Sequence, residues 1–203
     1  MTFEQYAMLA ARFGTIVNLN RHYVRSRQIK SPEEIDWMRI GAALTDRGMA
    51  ALRDGLRPVL TERSLADLVE RSYIALGGTN VIHFFGVTPM ADPSIGVPTQ
   101  FVANRKVNAG DAVVAEISAA FWEHPGQVLR SFAVDAVPSQ LYRDLHAVAD
   151  AAFDAIAAVL KDGAMPQQII DAASVIEQAG FTKNSPSPAA RRCSQTGPHS
   201  ADV

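Results

Sequence analysis

A chain of 203 residues, 48% hydrophobic and 20% charged, can bury one full-sized core. Its net charge of −2, with both signs interspersed, gives no electrostatic footprint for nucleic acid and no polybasic membrane patch. No apolar run approaches a membrane span, Met1-Thr2-Phe3-Glu4-Gln5 lacks the regions of a signal peptide, and the single cysteine, Cys193, excludes an intrachain disulfide, so a cytoplasmic protein with no membrane partner is expected.

Phe3, Tyr6, Leu9 and Phe13 recur at helical spacing and predict a short helix over residues 3–13. A mixed stretch follows from Ile16 to Ile29, with Arg21, Arg25 and Arg27 and no acid before Glu33. Ser31-Pro32-Glu33-Glu34 then places a hydroxyl at an N-cap, proline at N1 and glutamate at N3, a capping box that opens a helix. Ile35, Met38, Ala42, Met49 and Leu52 form its expected apolar face. A second helix is expected from near Thr61, carrying Leu65, Leu68, Val69 and Leu76 and ended by Gly77-Gly78. Val81 to Val87 reads as a strand. The stretch from Thr88 to Arg105, rich in glycine, proline and small residues, reads as a functional or disordered connection.

Gly110-Asp111 marks a tight turn into a buried strand through Glu116, followed by a short connection and a second strand from Gln127 to Arg130. Pro138-Ser139 opens a helix with Leu141, Leu145, Val148, Ala152, Ile156 and Val159 on one face, stopped by Gly163. A shorter helix from Pro166 carries Ile169, Ile170, Ala173 and Ile176 and is closed by Gly180. From Lys183 to Val203 the chain holds three prolines, several serines and Arg191-Arg192, with no large apolar residue before Val203, and reads as a disordered tail. The abrupt change at that point is what a shifted or prematurely ended reading frame would produce.

Glu116 and Gln127 stand out because an apolar hairpin has no structural need of them. Residues facing each other on paired antiparallel strands have Cβ atoms about 5 Å apart, close enough to grip one ion or ligand. Two carboxylates so placed would indicate a two-metal hydrolase; this chain offers one carboxylate and one amide. Arg130, on a buried strand, needs an acceptor, for which Glu116 is the nearest partner, either as a structural ion pair or as part of a substrate site. Glu116, Ser118 and Gln127 alternatively form the polar floor of a cavity. His83 lines the pocket or is a hydrogen-bonded core histidine; His124 falls in the hairpin turn and His146 on a helix.

The run Gly110-Asp111…Glu116…Gln127…Arg130 resembles the metal-binding hairpin of the pita-bread hydrolases, the group of methionine and Xaa-Pro aminopeptidases, prolidase and creatinase. Ile29-Lys30-Ser31-Pro32-Glu33-Glu34-Ile35 is similar to the segment that opens the catalytic domain in the Xaa-Pro peptidase and creatinase branch. Leu44-Thr45-Asp46, Leu60-Thr61-Glu62 and Gly77-Gly78 occur in similar positions there. The resemblance implies an α/β (α+β) fold, the first half of a pita-bread domain, with a curved antiparallel sheet covered by helices. It implies a remnant of an N-terminal domain and linker over 1–30, a partial catalytic-type domain over 31–182 and the tail over 183–203.

In the family's metallopeptidases five ligands hold two divalent ions, Mn, Co or Zn. The two hairpin positions fall at Glu116 and Gln127, and the other three should follow residue 180, where the polar tail, with His199 as its histidine, does not resemble the family's motif. No cofactor is therefore expected in this chain. The creatinase histidine position falls at Thr99, so no catalytic residue is assigned, and Glu116, Gln127, Arg130, His83 and Thr99 remain as substrate-binding candidates. The implied function is that of a truncated Xaa-Pro peptidase/creatinase-like hydrolase homologue, inactive by itself, whose intact relatives hydrolyse C–N bonds in dipeptides or small amide or amidine substrates. The alternative is a non-catalytic module for binding a small molecule or peptide, or for assembly. Open sheet edge and apolar helix surface point to a homodimer or an aggregation-prone monomer.

Overall fold

The computed structural model describes residues 1–182, which divide into two compact units, one over Met1–Ala136 and one beginning at Val137. The expected tail, with Cys193 and His199, lies outside the described residues.

The first unit opens with helix α1 (Phe3–Phe13), where Thr2 and Gln5 form a capping box, and α2 (Asn20–Ser26). The sequence signals no helix at α2: it lacks an apolar period and a side-chain N-cap bond. Helix α3 (Pro32–Gly55) starts on the expected box, Ser31 Oγ accepting from Glu34 N at 3.1 Å and Glu34 Oε2 accepting from Ser31 N at 2.7 Å. Its buried stripe differs from the expected one. Gly41, Leu44, Thr45, Gly48, Met49 and Leu52 are buried, whereas Ile35 and Met38 are 40% and 41% exposed. The cause is packing by small residues, which a hydrophobicity period does not register: a Cβ at Gly48 would stand 3.1 Å from Val69 Cγ1. Helix α4 (Glu62–Tyr73) is capped by Thr61 Oγ1 and gives way to a single 3₁₀ turn at Ile74–Leu76, closed by Gly77 at φ 85°.

Strands β1 (Thr79–Pro89), β2 (Asp111–Phe121), β3 (His124–Pro125) and β4 (Val128–Ala133) form an antiparallel sheet with β2 in the middle. β1 lies along one side of β2, and β4 and the short β3 lie along the other. Alternation along the strands separates two faces. Val113, Ala115, Ile117 and Ala119 of β2 join Phe85 and Val87 of β1 beneath Leu44, Met49 and Leu52 of α3 and Leu65, Val69 and Tyr73 of α4. Glu116 belongs to the opposite face, beside Phe84 of β1 and Leu129 of β4.

The long connection from β1 to β2 is anchored at several points. Thr99 exchanges two backbone bonds with Phe85, Glu62 Oε2 accepts from Ala103 N at 2.6 Å, and Thr88 Oγ1 accepts from Ser94 N at 2.8 Å.

The second unit contains α5 (Gln140–Val159), α6 (Pro166–Ala172) and α7 (Val175–Gln178). The one helix expected from Pro166 to Gly180 is thus two, separated at Ala173–Ser174. There the backbone tightens to bonds three residues apart, Ser174 N to Asp171 O at 3.0 Å and Ile176 N to Ala173 O at 3.3 Å. No helix among the described residues is long and apolar enough to cross a membrane.

Candidate functional site

Glu116 sits mid-strand on β2, directly across from Leu129, and β4 begins at Val128 opposite Ile117. Gln127 therefore immediately precedes the paired part of β4 and its side chain folds back over the same face. The Gln127 amide Nε2 donates a hydrogen bond to Glu116 Oε1. Glu116 is half-buried and Gln127 exposed.

Three features hold this pair in place. The buried Ser118 hydroxyl donates to the Gly126 carbonyl at 2.6 Å, tying the residue before Gln127 to β2. The Gly126 N–H bonds the Ala119 carbonyl at 3.0 Å, and Thr45 on α3 accepts from Ala119 N at 3.0 Å and donates to its carbonyl at 3.2 Å. Helix α3 and the hairpin then meet backbone to backbone: a Cβ at Gly41 would lie 2.2 Å from His124 O, and one at Gly126 would lie 2.5 Å from Ala42 Cα. At the hairpin tip Trp122 and Glu123 adopt φ of 46° and 62°, the left-handed pair that a tight hairpin turn requires. Trp122 stacks at 6.3 Å on Trp37 of α3, while His124 Nε2 stands 3.7 Å from Glu34 Oε1. Sequence reasoning did not single out Thr45, Gly41 or Gly126 for this role. The glycines carried the available signal, since glycine inside a helix and beside a strand marks close backbone approach.

The other candidates do not join the pair. Arg130 faces Ala115 rather than Glu116, so consecutive residues 129 and 130 point to opposite sides of the sheet. The expected Glu116–Arg130 ion pair is absent for that geometric reason. Arg130 is exposed, and its guanidinium donates to the Leu129 carbonyl at 2.7 Å. It borders a shallow depression of about 220 Å³ with Asp46, Met49, Ala50, Arg53 and Phe132, on the helix side.

His83 also lies on the helix side, opposite Ile117, and is 7% exposed. Its Nε2 meets the Tyr73 hydroxyl at 2.9 Å and its Nδ1 lies 3.3 Å from Glu70 Oε1. The carboxylate selects the tautomer with the proton on Nδ1, leaving Nε2 to accept from Tyr73. Burial pushes the His83 pKa down, against an opposing pull from the Glu70 charge, and burial pushes the Tyr73 phenol up. Thr99 is exposed and bridged by its backbone to Phe85, about 10 Å or two strand spacings from the Glu116 strand. His146 is exposed on α5, 3.5 Å from Asp150.

The donor set does not fit two divalent ions. One oxygen of the carboxylate is occupied by an amide N–H, the amide brings no charge, and among the described residues no three His, Cys, Asp or Glu side chains converge. What remains for a ligand is Glu116 Oε2, Gln127 Oε1 and the second amide N–H: two acceptors and a donor on one half-buried face.

The family description "metallopeptidase family M24" matches residues 36–199. The chain is 26% identical over 172 residues to the uncharacterized hydrolase/peptidase y4tL of Sinorhizobium fredii, a match covering 84% of this chain and 44% of that protein. Among solved structures, dipeptidase PepE from Mycobacterium ulcerans aligns with a TM-score of 0.74 and 25% identity, over 89% of this chain and 48% of that one. The X-Pro aminopeptidase from Thermotoga maritima aligns with a TM-score of 0.74 and 16% identity, over 89% and 51% of the two chains. The chain spans about half the length of these relatives.

Proposed function

The chain belongs to metallopeptidase family M24, and on that premise we propose that its β2–β4 hairpin is the substrate-recognition face of a peptidase-like hydrolase, with Glu116 and Gln127 as the contacting groups. The observation that carries this reading is the Gln127-to-Glu116 hydrogen bond, which presents acceptors and a donor together. A substrate ammonium is matched by the Glu116 carboxylate and the Gln127 carbonyl oxygen, and a peptide C=O by the free amide N–H. Small peptides or amides with a free amino end are the ligands this chemistry fits.

Hydrolysis is a separate matter. In a metallopeptidase the ions activate water and polarise the scissile carbonyl. Glutamine at 127 supplies no charge to hold or bridge them, so in this reading the chain binds its ligand without turning it over. Thermal stability titrated with an Xaa-Pro dipeptide and with its N-acetylated form tests this. The free-amine peptide should raise the melting temperature with dose and the acetylated one should not. Equal response to both, response to neither, or release of free proline overturns the reading.

The second reading, an assembly module, is favoured by one observation: β4 is an open edge strand, paired only with β2 among the described residues. It implies self-association, read directly by sedimentation equilibrium.

A further inference from the structure

Gly86 of β1 faces Val114 of β2, two residues along from the pair Phe84–Glu116, so by alternation it belongs to the Glu116 face. There the long connection between β1 and β2 lies directly on the strand. A Cβ at Gly86 would stand 2.8 Å from Ile95 Cγ2 and 3.5 Å from Pro98 Cα, so only glycine leaves Ile95 its seat. The connection is fixed on both sides of that seat. Ser94 N donates to Oγ1 of the buried Thr88 at 2.8 Å, and Thr99 exchanges two backbone bonds with Phe85. Pro98 is buried and Ile95 half-buried.

We propose that Ile95, seated on Gly86, is a stop behind the amino end of the ligand, so that ligands of this face begin at Glu116 and do not extend past it. This rests on the binding reading above and adds a residue that selects by shape where Glu116 selects by charge. Gly86 is the diagonal neighbour of Glu116 across the strand pair, about 7–8 Å away. Gln127 lies at the opposite corner. It precedes Val128, which faces Ile117, and so sits on the β4 side toward the Ser118 end of β2. A ligand whose ammonium meets Glu116 and whose first carbonyl meets the Gln127 amide therefore runs away from Ile95, amino end nearest to it. Carbon atoms in contact stand about 3.5–4.0 Å apart, and each further extended residue needs about 3.3–3.6 Å of chain. The interval between Glu116 and Ile95 holds an ammonium and has no space for a residue behind it.

Shape and charge separate when bulk is added and the charge is kept. Alanylproline and its N-isobutyl derivative, a secondary amine that stays positive and retains two N–H groups for Glu116 and Gln127, form such a pair of probes. Isothermal titration of the parent chain should show the N-isobutyl form binding more weakly, on the order of tenfold or more. Ile95→Ala should bring the two probes level by admitting the added group. Ile95→Val trims one methyl and keeps the branched seat, so it should close part of the gap even if the alanine variant folds poorly. Equal binding of both probes by the parent overturns the stop alone. So does a gap that Ile95→Val and Ile95→Ala leave unchanged, or loss of both probes in both variants. A parent chain that binds neither probe overturns the binding reading and the stop with it.

Discussion

At position 127 an amide stands where a charge would be needed to hold metal, and its N–H is turned onto the Glu116 carboxylate. Changing both residues to aspartate shortens both side chains by one methylene, removes that hydrogen bond and sets two like charges together. The double variant should lose about 1–2 kcal/mol of stability and gain no Mn²⁺- or Zn²⁺-dependent cleavage of an Xaa-Pro dipeptide, since two carboxylates do not complete a dinuclear site. Differential scanning calorimetry alongside a proline-release assay checks both halves, and metal-dependent turnover in the variant would show that further ligands exist. His83 provides a second test. Burial holds its pKa below the ordinary 6.5, so the unfolded chain takes up the proton first. Its contribution is full above about pH 6.5 and declines as pH falls toward the folded-state value. Urea midpoints at about pH 7.5 and 5.5 should therefore differ more for the parent than for His83→Gln; equal differences would place the titrating group elsewhere.

Helix α3 and the β2–β3–β4 hairpin are joined through atoms that leave no slack. Gly126→Ala places a methyl 2.5 Å from Ala42 Cα, against backbone that cannot rotate away, and should cost about 2–3 kcal/mol. Thr45→Val keeps the volume but strands the Ala119 N–H, and should cost about 1–3 kcal/mol. Both shifts are measurable as urea midpoints, and a neutral Gly126→Ala would mean the hairpin is not seated as described. The capping box at Ser31, the strand through Glu116 and the stop at Gly77 were legible because each is written in local residue chemistry. The buried stripe of α3 was not, because Gly41 and Gly48 pack by absence of a side chain. Nor was the face to which Arg130 points, because its assignment depends on a pairing register that no local pattern specifies. The Glu116–Gln127 contact was legible from spacing; the Ser118, Gly126 and Thr45 bonds that position it arise only once the strands are paired.

On the scale of the whole chain, the relatives are about twice as long, and the described residues contribute a hairpin face without the donors of a dinuclear centre. Family membership and the proposed role of the hairpin therefore point in different directions: the fold is that of metallopeptidase family M24, and the role we propose for Glu116 and Gln127 is binding without turnover. The most direct test is the metal content of the purified protein, measured on the same sample as Xaa-Pro dipeptide hydrolysis after incubation with Mn²⁺, Co²⁺ or Zn²⁺. The account predicts substoichiometric metal that washes out on dialysis, and no release of proline. Tightly retained metal with metal-dependent proline release would contradict it.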